Sequence, residues 1–225
     1  MVTTIDDMTR FVRPEFAARE YRDDDGSVIK YGNRWGLNSP PEESYSRTSN
    51  LDRYEPLQVV ARALIDYLES TYDVTLDKSA SPIADFVPPL DVLESVRVSP
   101  LDPICASLTF GFTSTPAVFL HAGVLRDFAY PACGCDACDE GIGVTLDRLE
   151  WTVFAVTDGN FRESVTGRRR PWAGYEINTR EQSESGSVRL VSLSKDRIKS
   201  ASRRLADVPG WWAAWPLRVT DRIRP

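Results

Sequence analysis

The sequence predicts an α+β protein: a small, mostly antiparallel sheet with helices packed on it, and a cysteine-knuckle loop between a β-hairpin and a helix. Three observations carry this. Residues 55–72 repeat apolar side chains at three- and four-residue steps, the period of a helix with one buried face. From residue 94 the period drops to two, and two short apolar runs flank Ser114-Thr115-Pro116, the pattern of a hairpin. No internal repeat and no clear linker divides the 225 residues. One domain over 1–225, with the basic C-terminal quarter 165–225 as part of it, is therefore the economical reading.

The elements follow in order. Residues 4–21 are expected to form a helix capped by Thr4 or Asp6, although Pro14 opposes it by lacking an amide donor. Asp23-Asp24-Asp25-Gly26 closes it as a turn. Tyr31-Gly32-Asn33-Arg34-Trp35-Gly36 and Pro40-Pro41 read as a loop whose aromatics lie against the body of the domain. Residues 55–72 are the clearest helix: Pro56 suits its first turn, and Leu57, Val60, Leu64, Leu68 and Tyr72 share a face. Pro82, Pro88 and Pro89 make residues 77–91 an irregular connection. Residues 94–98 form a strand, and residues 106–113 and 117–122 form the hairpin, with His121 near its end. Residues 144–157 form a second helix, buried through Leu146, Leu149, Val153 and Val156. Residues 172–177 and 188–193 are expected to pair as strands across a polar loop, 179–186. Ser194 caps a basic helix over 195–206, and Trp211, Trp212 and Trp215 add apolar mass beyond it.

Composition narrows the class. The chain is 42% hydrophobic and 27% charged, ordinary for a soluble globular protein. No stretch approaches the roughly 18 apolar residues of a membrane helix. Residues 1–16 carry Asp6 and Asp7 and no apolar h-region, so no signal peptide is read there and a cytoplasmic location is expected. The net charge of −6 divides unevenly: residues 1–164 carry −13 and residues 165–225 carry +7. The basic quarter either packs against the acidic body or faces an anionic partner. Arg168-Arg169-Arg170-Pro171-Trp172 joins guanidinium groups to a stacking ring, the best anion-binding candidate. A pI near 5.0 argues against a dedicated nucleic-acid binder. The sequence names no partner and leaves homo-oligomerisation open.

Cys133-Gly134-Cys135-Asp136-Ala137-Cys138 concentrates three of the four cysteines in six residues. In a reducing compartment such clustering reads as metal binding or catalysis rather than disulfides. Zinc takes four ligands and favours thiolates, so a structural zinc site held by Cys133, Cys135 and Cys138 is expected. The fourth ligand is open: His121, the chain's one histidine, comes first, then Cys105, then Asp136 or Asp139. The acidic neighbours Asp136, Asp139 and Glu140 raise thiol pKa values unless a cation compensates.

Standard catalytic signatures are absent. There is no G-x-S-x-G elbow, no phosphate-binding glycine loop, no H-E-x-x-H and no deaminase pattern, and a single histidine limits acid–base chemistry. No activity is inferable. A zinc- or thiol-dependent enzyme or redox protein is the alternative, with Asp136 or Glu140 as base. An anion or nucleic-acid interaction module using the basic face is the second alternative.

Pro131-Ala132-Cys133-Gly134-Cys135-Asp136-Ala137-Cys138-Asp139-Glu140, supported by residues 31–36 and by Pro41-Glu42-Glu43-Ser44-Tyr45-Ser46, resembles an uncharacterised actinobacterial domain family of unknown function over most of the chain. The resemblance implies a cytoplasmic actinobacterial protein and carries over no functional residue.

Overall fold

A computed structural model describes residues 10–87, 91–167 and 170–219. Helix α1, Glu55–Thr71, buries Leu57, Val60, Ala61, Leu64, Ile65 and Leu68 on one face, as its spacing requires. The chain then runs back and forth through β1 Val74–Asp77, β2 Val92–Pro100, β3 Leu108–Thr113, β4 Val118–Ala122 and β5 Arg126–Tyr130. These make a five-stranded sheet in simple sequence order, every neighbour antiparallel. Helix α2, Ile142–Thr157, leads to a second, three-stranded antiparallel sheet of β6 Phe161–Thr166, β7 Trp172–Asn178 and β8 Ser183–Arg189. Helix α3, Lys195–Ala206, follows.

The α+β arrangement thus has two antiparallel sheets rather than one. Helix α2 joins them: it touches α1, β5 and β7. A single apolar cluster draws on α1, α2, the first sheet, Phe161 and Ile177 of the second, and Trp212 and Trp215. Strand β3 is buried along its whole length, because its far face is covered as well. A Cβ on Gly111 would stand 2.8 Å from the Phe86 ring, and Asp85 accepts from Thr109 at 2.6 Å.

The departures from expectation have local causes. Residues 10–21 contain no helix; Pro14 lies within them, and residues 4–9 of the expected helix fall outside the described residues. Strands β1, β5 and β6 are additional, and β1 takes in Asp77, the first residue of the expected irregular connection. In β6 the inward positions are Phe161, Glu163 and Val165, so a buried acid hides the apolar alternation. The partner of β7 is Ser183–Arg189, not residues 188–193. It is an edge strand with one neighbour, and an exposed edge needs no apolar face.

Candidate metal centre

The cysteine cluster lies in the loop between β5 and α2, one strand later than a loop placed directly after the hairpin. Two distant segments wrap it. From the first, Trp35 donates Nε1–H to the carbonyl of Asp136 at 3.2 Å, and the amide of Arg34 donates to Asp139 Oδ2 at 2.6 Å. From the second, Ser49 donates through its amide and its hydroxyl to the two oxygens of Asp136, each at 2.7 Å. The amides of Asp136 and Ala137 return bonds to the carbonyls of Arg47 and Ser44. The stretches 31–36 and 41–46, distant from the cysteines in the chain, therefore border them in space.

Asp136 is almost wholly buried. Burial opposes its ionisation, but the two Ser49 bonds, with Arg34 and Arg47 nearby, outweigh it and hold the carboxyl below its usual range. Glu140 accepts from the amides of Ala132 and Cys133 at 3.1 and 2.7 Å and so closes the loop on itself. Tyr54, at the foot of α1, donates its hydroxyl to the Glu140 carbonyl at 2.9 Å. Both acids expected as bases in the enzymatic alternative are thus engaged in fixing the loop.

The three thiol sulfurs lie within 4.8 Å of one another. Cys133 donates to Cys135 across 3.2 Å. That bond, with backbone donors from Cys138 and Ala137, lowers the pKa of Cys135. Hydrogen bonding to the Cys133 and Cys135 sulfurs, with burial and repulsion from their negative charge, pushes Cys138 up to about 12. Only a cation makes full deprotonation favourable.

The structure does not bring His121 into this group. On β4 it lies opposite Asp127 of β5, and its Nδ1 is 2.6 Å from Asp127 Oδ1. It is buried against Phe86. The strand register, which sequence proximity to the cysteines does not reveal, supplies its partner. Cys105 is also elsewhere: it is buried, its thiol meets the carbonyl of Ala214 at 3.3 Å, and burial pushes its pKa up to about 11. Asp136 and Asp139 are spent on Ser49 and Arg34, although Asp139 Oδ1 is buried without a hydrogen-bond partner.

Of the anion-binding candidates, Arg168 and Arg169 lie outside the described residues. Arg170 is exposed, and the ring of Trp172 carries the guanidinium of Arg189 at 5.2 Å. On α3, Arg197 is directed inward to the carbonyls of Ala84, Asp85 and Phe86. Arg204 lies over Trp212.

Fold and site together define an α+β protein with a surface loop of three convergent thiols, braced by the buried Asp136 and the half-buried Glu140. The chain belongs to DUF6226, a family of unknown function whose model matches residues 17–219. No curated protein and no solved structure matches the chain.

Proposed function

We propose that Cys133, Cys135 and Cys138 hold one zinc ion whose role is structural, in a protein of a reducing, cytoplasmic compartment. The observation that carries this is the convergence of three sulfurs within 4.8 Å. Thiolates about 2.3 Å from a tetrahedral zinc lie about 3.8 Å apart, within reach of this arrangement by small side-chain rotations. The ion would tie β5 to the start of α2 and lock the segments at Trp35 and Ser49 against both.

A catalytic reading draws support from one feature: among the described residues no fourth His, Cys, Asp or Glu joins the triad. Three protein ligands and a water are the usual catalytic zinc set. Against it, Asp136 and Glu140 already accept two donors each from the backbone and Ser49, so both are committed to holding the loop. The structural reading is the better supported.

Elemental analysis of reduced, untagged protein tests the proposal. About one zinc per chain is expected, and Cys135→Ser should lose it. Chelation should lower the melting temperature, since metal binding is coupled to folding of the loop. Metal-free protein with four titratable thiols, or melting unchanged after proven zinc loss, would overturn the structural role.

A further inference from the structure

The cysteine loop is held by bonds that use no sulfur. Glu140 accepts from the amides of Ala132 and Cys133, and Ser49 grips the carboxylate of Asp136. The amides of Asp136 and Ala137 reach the carbonyls of Arg47 and Ser44 at 2.8 and 3.1 Å. Arg34 and Trp35 hold Asp139 and the Asp136 carbonyl from the other side. A chemical change at sulfur leaves every one of these bonds in place.

The sulfurs themselves are not equivalent. Cys133 Sγ lies 3.2 Å from Cys135 Sγ. Closing that gap to the roughly 2.05 Å of a disulfide takes a movement of about 1 Å. The Cys135 amide also donates to Cys133 Sγ at 3.5 Å, which holds that sulfur over residue 135. Cys133 and Cys135 are each partly exposed and Cys138 is exposed, so a small oxidant reaches them. Cys105 is buried, with its thiol on the Ala214 carbonyl. Among the described residues no other His, Cys, Asp or Glu joins the triad. A metal there depends on these three sulfurs, and the thiolate form is the ligand. Pairing two of them leaves it one.

We propose that Cys133 and Cys135 are a reversible redox pair, and that their oxidation to a disulfide by a peroxide discharges the metal without unfolding the loop. The release rests on the zinc reading above; the pairing does not. Peroxide converts one of the two sulfurs to a sulfenic acid as its O–O bond breaks and one water leaves. The second sulfur attacks the first, the S–S bond forms and a second water leaves. Two electrons pass from sulfur to oxygen. Where the sulfurs begin as zinc-bound thiolates, solvent supplies the two protons. Zinc, left on Cys138 alone, dissociates. A dithiol reductant reverses the step by exchange, because the loop has kept the three sulfurs together.

The test titrates hydrogen peroxide into zinc-loaded, full-length protein. Zinc release is read with a chromogenic chelator and the fold by far-ultraviolet dichroism. The disulfide is placed by alkylating free thiols in denaturant, reducing, alkylating with a second reagent and sequencing by mass spectrometry. Loss of two thiols and about one zinc per chain is expected, with Cys133 and Cys135 paired, Cys105 and Cys138 free, and dichroism unchanged. Dithiothreitol with added zinc should restore the starting state. Cys138→Ser keeps both partners and should still form the disulfide. A disulfide that includes Cys138, sulfinic acid without a disulfide, no pairing in Cys138→Ser, or dichroism lost together with the zinc would overturn the proposal and leave the zinc reading intact. Metal-free protein given the same titration separates the two ideas. A Cys133–Cys135 disulfide in a chain that never takes up zinc would remove the zinc site, and the release with it, and leave the redox pair standing.

Discussion

Asp136 and Glu163 are buried acids with opposite balances. Asp136 sits in the cysteine loop with two bonds from Ser49 and arginines at 3.8 and 4.0 Å, and its ionised form is favoured. Asp136→Ala leaves the Ser49 amide and hydroxyl without acceptors, and a loss of roughly 2–4 kcal/mol in urea unfolding is expected. Glu163 is fully enclosed. It accepts from the amides of Val124 and Leu125, both at 2.9 Å, and from Trp212 at 3.3 Å. Burial nonetheless dominates and raises its pKa to about 7. The folded state therefore binds this proton more tightly than the unfolded one, so stability falls as pH rises from about 4.5 to about 7. The loss is of the order of 3 kcal/mol at most. Denaturant midpoints across that window should decline in the wild type. Glu163→Gln should remove that dependence. It should also lower stability at every pH, because its amide NH₂ would face donors where an acceptor stood.

At the scale of elements, α3 is held by few buried side chains, with Ala201 its one fully buried residue. Its ends matter correspondingly. Ser194 accepts from the Arg197 amide at 3.2 Å, and Ser194→Ala should cost about 1 kcal/mol. Arg197 docks the helix on the carbonyls of residues 84–86. Arg197→Ala should raise amide exchange in α3 and around Thr109 while leaving the α1–α2 packing protected. An equal rise in α1 would contradict this view of α3 as an attached outer element.

For the whole molecule, the C-terminal segment unites the parts. Trp212 donates its amide to Phe161 of β6, Ala213 to Ile104, Trp215 to Thr157 of α2, and Arg218 to Thr71 of α1. Trp215 adds an indole bond to Ala106 at 2.9 Å and an edge-on contact with Tyr72. One strap thus touches α1, α2, β6 of the second sheet and the connection between β2 and β3 of the first. Trp215→Ala should cost about 3–5 kcal/mol and shift the single unfolding transition of both sheets together. Separate transitions for tryptophan fluorescence and far-ultraviolet dichroism would count against this coupling.

Local sequence determined the elements whose burial is one-sided and regular. The apolar step of Leu57, Val60, Leu64 and Leu68, the Ser194 cap, and the Ser114-Thr115-Pro116 turn each encode structure within a few residues. The thiol cluster was equally legible, because Cys133, Cys135 and Cys138 are close in chain as well as in space. Tertiary structure alone decided what those elements meet. Strand register, not chain proximity, gave His121 to Asp127, and a pairing 87 residues apart gave Asp136 to Ser49. The polar edge strand β8 and the acid-bearing β6 owe their state to a neighbour rather than to their own pattern. Periodicity reports which face of an element is buried, whereas long-range contacts decide against what, and sites are made of the latter.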